Sequence, residues 1–188
     1  MRYHRAKVKG GTYFFTVVTY KRIKIFNRSD NVELLRQAFR KIIKQHPFRI
    51  DAFVLLPDHL HCIWTLPQGD ADFSKRWRLI KSYFSRKFKQ TQVDWVEGRN
   101  PTKTASSRLK KKEKLLWQRR FWEHLIRNHE DLRRHVEYIH YNPVKHGLTK
   151  APSDWDYSSF HRYVDEGMYD IKWGAGVKMK FDATVGYE

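Results

Sequence analysis

The chain has 188 residues and a formal net charge of +18, from 38 Lys and Arg residues against 20 Asp and Glu residues. An aromatic content of 15% excludes wholesale disorder, and no apolar run approaches the roughly 20 residues of a membrane span. The single cysteine, Cys62, excludes an internal disulfide and a multi-cysteine zinc cluster. Positive charge interleaved with aromatic rings predicts contact with nucleic acid and no membrane role.

The hydrophobic pattern predicts alternating strands and helices. In chain order these are a strand at 12–20, a helix at 31–46, strands at 48–56 and 59–66, a helix at 72–89, a strand at 121–126 and a helix at 131–142. Ser29 or Asp30 is expected to cap the first helix, and Pro143 and Gly147 to end the last one. The short turn between the second and third strands makes them an antiparallel hairpin. The element order is a split βαβ arrangement, so the fold class is α+β with a mostly antiparallel sheet.

Basic residues concentrate on the second helix and on the segment that follows it. The apolar stripe of that helix consists of Phe73, Trp77, Ile80, Phe84 and Phe88. Around the stripe lie Arg76, Arg78 and Lys81, which would either track phosphates or form a solvated face. Residues 98–113 have no apolar period and predict a flexible basic loop, and the Trp- and Tyr-rich residues 150–188 predict an irregular tail around the domain.

Two histidines in the third strand are candidate metal ligands. Because side chains alternate along a strand, His59 and His61 point to one face, while Leu60, Cys62 and Trp64 point to the other. The two imidazoles start about 6–7 Å apart and can converge on one metal ion. The competing interpretation is a pair of histidines on a solvated or nucleic-acid-facing surface. Cys62 is interpreted as a small buried hydrophobe rather than a ligand.

The last helix supplies a hydroxyl and an amide oxygen. Its apolar stripe is formed by Leu132, Val136 and Ile139. Tyr138 falls outside that stripe, and Asn142 lies one turn further on, along the same helix face. Tyr141 is the competing hydroxyl, displaced from Asn142 by about a quarter turn. Taken alone, an exposed tyrosine here would be surface decoration or a ring for a nucleobase.

Together these residues have the composition of a site for phosphodiester cleavage. His59, His61 and a side-chain oxygen supply three ligands to a cation that polarises a phosphate, and Tyr138 supplies an oxygen nucleophile. Negative charge develops as the tyrosine hydroxyl loses its proton and attacks. Three nearby basic residues would stabilise that charge, namely Arg133, Arg134 and Lys145.

Three sequence blocks resemble one known family. They are LPDHLHCIW at 56–64, WQRRFWEHLIRN at 117–128 and EYIHYNPVKHGL at 137–148. In this order they resemble the HUH single-tyrosine transposase superfamily (U is a hydrophobic residue), and most closely its REP-associated tyrosine transposases of bacteria. REP denotes repetitive extragenic palindromic sequences. The resemblance runs nearly the whole length of the chain.

The resemblance implies a fold and an activity. It implies a ferredoxin-like core with the histidine strand central and the tyrosine on a facing helix, in a catalytic domain at 1–149 followed by the tail at 150–188. It implies binding of single-stranded DNA hairpins of the REP type, cleavage through a 5′-phosphotyrosine and rejoining of strands. A monomer in the cytoplasm, associated with the nucleoid, is the expected form, with a dimer as the alternative.

The resemblance also assigns residues. The metal ligands of the family fall on His59, His61 and Asn142, its nucleophile falls on Tyr138, and its cofactor is Mg²⁺ or Mn²⁺. Contacts to DNA are expected from the basic residues Arg76, Arg78, Lys81, Arg133, Arg134 and Lys145. Two rival functions stay open at this point: a non-catalytic module that binds hairpins, and a metal-dependent nuclease in which water attacks.

Overall fold

The computed structural model describes residues 7–91, 116–182 and 185–186. Its strands and helices are, in chain order, β1 (Thr12–Val18), α1 (Ser29–Gln45), β2 (Arg49–Leu55), β3 (His59–Thr65), α2 (Phe73–Thr91), β4 (Trp122–Leu125), α3 (His129–Lys145) and α4 (Phe160–Asp165). Short 3₁₀ turns lie at Tyr20–Arg22, Ile25–Asn27 and Pro152–Asp154. The basic stretch 98–113, predicted to be a flexible loop, lies outside the described residues.

The strands form an antiparallel sheet in the order β2-β3-β1-β4. β1 pairs with β3 along its whole length, from Thr12 opposite Thr65 to Val18 opposite His59, and it pairs with β4 on its other side. β2 and β3 form the predicted hairpin. The strand order confirms the predicted α+β fold and places the histidine strand in the interior of the sheet.

Each face of the sheet is covered by a helical layer. On one face α1 and α2 pack over side chains such as Phe15 and Trp64, and all five residues of the predicted α2 stripe are buried there. Trp64 stacks on Trp77 of α2 with ring centroids 4.3 Å apart. On the other face α3 packs over Phe14 and Ile63. Burial of each such large side chain stabilises the fold by about 1.5–3 kcal/mol, so both layers contribute to the core.

The start of α1 differs in detail from the prediction. Neither Ser29 nor Asp30 caps the helix, because both already lie inside it, and the N-cap residue is Arg28. The Arg28 guanidinium donates to the Asp30 carboxylate at 2.8 Å. The predicted cap is therefore wrong, although the helix begins within two residues of the expected place.

The last helix is longer than predicted. α3 runs from His129 to Lys145 and contains Pro143, so the expectation that this proline ends the helix is wrong, whereas Gly147, with a φ of +66°, follows the C-cap residue His146 as predicted. Pro143 lacks the N–H that would donate to the Ile139 carbonyl, but only Val144 and Lys145 follow it in the helix, so little helix remains for the proline to displace. The chain continues beyond it, since the His146 N–H donates to the Asn142 carbonyl at 3.0 Å. Asn142 therefore lies within α3, one turn beyond Tyr138.

The segment after α3 closes the outer edge of β2. The Leu55 N–H donates to the Tyr157 carbonyl and the Ser159 N–H donates to the Phe53 carbonyl, each at 2.8 Å. An edge strand exposes unpaired backbone groups, and these bonds satisfy part of that edge. The tail thus packs on the same body as the sheet here, while the domain boundary at 149 stays a prediction. None of the described helices is both long and apolar enough to cross a membrane.

A buried histidine joins α3 to this edge segment. The Nε2 atom of His140 lies 2.8 Å from the Ser159 hydroxyl, and the Tyr163 ring packs 4.6 Å from the imidazole. Burial disfavours the charged imidazole, and the nearby charge of Arg162 adds to this effect, so the pKa of His140 falls to about 3. His140 is therefore neutral in the folded protein at ordinary pH.

Acidification should weaken the fold through His140. In the unfolded chain a histidine has a pKa of about 6.5, so between pH 6.5 and 3 the unfolded state binds a proton that the folded state rejects. We expect this residue to lower the free energy of unfolding by about 2 kcal/mol between pH 7 and pH 5. Urea unfolding at the two pH values measures the change, and His140→Gln should reduce it by that amount. His161→Gln, at an exposed position on α4, is the matched control, and equal pH dependence in all three proteins would contradict the assignment.

Candidate functional site

The predicted histidine pair lies on the α3 side of β3. His59 and His61 are both buried, and their ring centroids lie 5.0 Å apart with the ring planes nearly perpendicular. Leu60, Cys62 and Trp64 face the opposite core under α1 and α2, as the alternation predicted. The strand therefore holds the two imidazoles next to each other beneath α3.

A hydrogen bond to the Nδ1 atom orients each imidazole. Nδ1 of His59 lies 2.6 Å from an Asp58 carboxylate oxygen, and Nδ1 of His61 lies 2.9 Å from the Thr16 hydroxyl. Burial raises the pKa of Asp58, but the bonds and charges of His59 and Arg22 outweigh burial, and the net pKa is lowered. An ionised carboxylate only accepts hydrogen bonds, so Nδ1 of His59 carries the proton and the Nε2 lone pair can bind a metal.

Sequence reasoning missed both of these supporting residues. Asp58 could have been found, because it immediately precedes the histidine strand and a carboxylate commonly orients a metal-binding imidazole. Thr16 reaches His61 only through the pairing of β1 with β3, where the two residues lie directly opposite each other. No local sequence pattern indicates that register.

Tyr138 lies beside the histidines. Its ring centroid is 5.2 Å from that of His61, and its hydroxyl oxygen accepts a hydrogen bond from the Lys145 ammonium at 2.9 Å. The same ammonium lies 4.7 Å from the centre of the tyrosine ring. The expectation that Tyr138 is exposed and off the apolar stripe is wrong as to burial, because the ring belongs to the core that also holds Val136 and Ile139.

Residues near the end of the chain cover Tyr138. The Phe181 ring packs edge-on against it at 5.4 Å, and the Tyr138 hydroxyl donates to the Gly186 carbonyl at 3.3 Å. A Cβ atom on Gly186 would lie 2.1 Å from the tyrosine ring, so only glycine fits this approach. A ligand can therefore reach the hydroxyl only after these residues move.

Asn142 lies between two contacts that align α3 with β3. Tyr138 meets His61, and two turns further along the helix His146 meets His59 with ring centroids 5.1 Å apart. Asn142 is midway between them in sequence, on the same helix face, and fully buried. This placement lets a side-chain oxygen join the two imidazoles as a third metal ligand. His146 was not singled out from the sequence, although it follows Asn142 by one turn.

The competing hydroxyl points elsewhere. The Tyr141 hydroxyl donates to the Val177 carbonyl at 2.6 Å, and its ring packs 5.7 Å from Phe181. Tyr141 thus anchors the tail, whereas Tyr138 contacts the histidine pair.

One predicted DNA contact lies inside the protein. Arg76 is buried, and its guanidinium donates to the carbonyls of His46 and Pro47 at 3.2 and 2.8 Å and to the Asp70 carboxylate at 2.7 Å. It ties α2 to the turn before β2. This burial contradicts a role for Arg76 in contacting phosphates.

The other predicted DNA contacts have different surroundings. Arg78 is exposed, and the Lys81 ammonium donates to the Gln118 carbonyl at 3.1 Å. Both lie on α2, in the layer across the sheet from the histidines. Arg133 and Arg134 are exposed on α3, where both donate to the Glu130 carboxylate and lower its pKa to about 2. The role of these four residues in binding DNA stays a prediction.

Comparison with known proteins gives consistent matches. Residues 7–142 match the family described as transposase IS200 like. The chain is 46% identical to the REP-associated tyrosine transposase of Escherichia coli (strain K12), over 93% of this chain and 92% of that one. It also resembles a solved structure of a REP-associated tyrosine transposase bound to a REP hairpin, with a TM-score of 0.79, 42% identity and coverage of 100% of this chain and 98% of that chain.

Displacing the segment that covers Tyr138 should expose its ring. In Gly186→Ala the new methyl group collides with the tyrosine, so we expect nitration of Tyr138 by tetranitromethane to become several-fold faster, as measured by peptide mass spectrometry. Gly176→Ala is the matched control, because Gly176 also has a positive φ, of +68°, but a Cβ there meets nothing within 4 Å. Equal nitration rates in the two variants would show that the Gly186 contact does not protect Tyr138.

Proposed function

The chain belongs to the IS200-like transposase family, and we propose that it binds single-stranded DNA hairpins of the REP type, cleaves the strand through Tyr138 and rejoins strands. The observation that carries this proposal is the alignment of α3 with β3, which brings the Tyr138 ring centroid within 5.2 Å of that of His61 and buries Asn142 one helical turn beyond Tyr138. This proximity supports Tyr138 as the nucleophile beside a metal held by the histidines.

The donor set suits a divalent cation. His59, His61 and Asn142 would hold Mg²⁺ or Mn²⁺, with two imidazole ligands favouring Mn²⁺ by their softness. The bound cation supplies positive charge that polarises the scissile phosphate. The chain's own part is to hold both rings through Asp58 and Thr16, so that no reorientation is needed when the cation and DNA arrive.

The chemistry at Tyr138 follows from its two hydrogen bonds. The hydroxyl now donates to the Gly186 carbonyl and accepts from Lys145. In attack on the phosphate, the tyrosine oxygen gives up its proton and bonds to phosphorus, the P–O3′ bond breaks, and the leaving 3′ oxygen takes a proton. The products are a 5′-phosphotyrosine and a free 3′-hydroxyl. Rejoining reverses the step, with a 3′-hydroxyl attacking and the tyrosine oxygen leaving.

Lys145 would stabilise the tyrosine oxygen in both directions. A hydrogen bond from an ammonium group strengthens as negative charge grows on the acceptor. The same lysine is suited to donate a hydrogen bond to the tyrosine oxygen both when that oxygen attacks and when it leaves. This role is more specific than the general phosphate contact expected from the sequence.

The hairpin partner is inferred from likeness and charge. The solved relative is bound to a REP hairpin, and the present chain covers 98% of it at 42% identity. A net charge of +18 supplies salt-sensitive attraction to the phosphates of such a hairpin. One chain carries both the histidines and Tyr138 in ring contact, which supports a monomer as the working form, and its DNA substrate would place it in the cytoplasm at the nucleoid.

A covalent adduct tests the proposal. The protein is incubated with a REP hairpin labelled at its 3′ end in Mn²⁺ or Mg²⁺, because a 5′-phosphotyrosine retains the 3′ fragment. Wild type and Tyr141→Phe should give a labelled protein band on a denaturing gel, and Tyr138→Phe should give none. His61→Ala should abolish cleavage while hairpin affinity changes by no more than a few fold. Cleavage that survives Tyr138→Phe would favour the water-using nuclease, and binding without cleavage in either metal would favour the binding module.

Removing the ammonium from Tyr138 should slow the chemistry and spare binding. For Lys145→Met we expect the single-turnover cleavage rate at pH 7 to fall about a hundredfold, the usual loss for one donor to a developing anion. The deficit should shrink as the pH approaches 10, where an ordinary tyrosine ionises without help. Lys150→Met removes the same charge from an exposed position and is the control. A loss of hairpin affinity that accounts for the whole rate change would instead assign Lys145 to phosphate binding.

A further inference from the structure

A second group of metal-binding side chains lies away from the His59–His61 pair. Among the described residues, His124 of β4 and Asp131 and His135 of α3 place one ligand atom each within 4.8 Å of the others. The imidazoles of His124 and His135 stack with their centroids 4.6 Å apart, and the His135 ring also packs 4.9 Å from that of Phe14. The cluster therefore sits between the sheet and the first turns of the helix that carries Tyr138.

The distances from Asp131 to the two histidines are slightly shorter than those between ligands of a small tetrahedral ion. Nε2 of His124 lies 2.9 and 3.1 Å from the two carboxylate oxygens of Asp131, and Nδ1 of His135 lies 3.1 Å from one of them. Two ligands of a tetrahedral zinc ion, each about 2.0–2.1 Å from the metal, are about 3.3 Å apart. Because the two rings stack with nearly parallel planes and a metal lies in the plane of each imidazole that binds it, the partly exposed His124 ring must also turn before both nitrogens reach one ion.

The protonation states suit metal binding. Burial raises the pKa of Asp131, but hydrogen bonds from His124 and from the Arg127 N–H outweigh it, and the net pKa is lowered. Burial lowers the pKa of His135, so its imidazole is neutral near pH 7. An ionised Asp131 carboxylate beside the neutral His135 imidazole is the form of these two groups that binds a metal.

The surroundings allow both exchange of the His135 proton and entry of an ion. Nδ1 of His135 faces two acceptors, the Asp131 carbonyl at 2.8 Å and its carboxylate, so it carries the proton when no ion is bound. When Nδ1 binds the ion, the proton moves to Nε2, which has no hydrogen-bond partner within the described part of the chain, so this buried N–H offsets part of the gain from the ion. The His124 and Asp131 side chains are 22% and 19% exposed, which gives an ion a route in and leaves space for a water ligand.

We propose that His124, Asp131 and His135 form a second metal site that binds a zinc-class divalent ion and fastens β4 to the start of α3. Two imidazoles and one carboxylate are a ligand set that Zn²⁺ favours over Mg²⁺. The ion replaces the hydrogen bonds by which Asp131 now joins the two histidines. Its effect is on the stability of α3, and it takes no part in the cleavage step.

Zinc stoichiometry tests the site in a background that lacks the first one. Isothermal titration of His61→Ala protein with Zn²⁺ should show one ion per chain. Adding His124→Ala should weaken that binding by at least about a hundredfold, since even residues that merely support a ligand contribute 10- to 100-fold. Adding His129→Ala, at an exposed position at the start of the same helix, should change nothing.

Thermal stability gives an independent measurement. Zinc at a hundred times its Kd should raise the melting temperature of the His61→Ala protein by roughly 5–10 °C. The rise should disappear with His124→Ala and with Asp131→Asn, which keeps a hydrogen-bonding oxygen, and circular dichroism checks that each variant folds. Two results would overturn the proposal: no zinc binding by the His61→Ala protein, or zinc binding that survives both His124→Ala and Asp131→Asn. The cluster would then only join β4 to α3 by hydrogen bonds.

Discussion

The site depends on the alternation of side chains along β3, a strand buried on both faces. Leu60, Cys62 and Trp64 lock one face into the core beneath α1 and α2, and the same register turns His59 and His61 toward α3. A slip of one residue would bury imidazoles among aromatic rings and turn Trp64 toward α3, so the register is strongly specified. The hydrophobic core thus positions the histidines, and Asp58 and Thr16 only set their rotation.

Tyr138 depends instead on how α3 is held against the sheet. At its start Asn128 caps the helix and Asp131 joins it to His124, in its middle His140 bonds to Ser159, and at its end His146 meets His59. These contacts come from β4, from the segment at 157–159 and from β3, so several elements together hold α3 in place. The core therefore supports both sides of the site, and on the nucleophilic side these contacts add to the packing of α3 on Phe14 and Ile63.

Much of this arrangement could be predicted from local patterns. The strands, the α2 stripe and the shared face of His59 and His61 follow from periodicity alone, because burial imposes the periods of 2 and 3.6 residues directly on the sequence. The predictions of exposure for Tyr138 and Arg76 failed because burial there depends on residues that are distant in the sequence. Tyr138 is buried because Phe181 and Gly186 cover it. Arg76 can be buried because the carbonyls of residues 46 and 47 accept hydrogen bonds from its guanidinium. The prediction for Pro143 failed for a local reason, since only two helical residues follow it and the helix can accommodate the proline there.

The layered fold also separates most of the predicted DNA-binding residues from Tyr138 and the histidines. Arg78 and Lys81 lie on α2, across the sheet from the histidines, and Arg133 and Arg134 are already paired with Glu130. Lys145 is the cation that touches the tyrosine hydroxyl directly. Salt therefore acts differently on DNA binding and on the cleavage step. At 0.1 M salt the attraction between exposed charges and phosphates is screened within about 10 Å. The partly buried contact between Lys145 and Tyr138, at 2.9 Å, is screened much less. Affinity for DNA can thus fall with rising salt while the intrinsic rate of the bound complex is preserved.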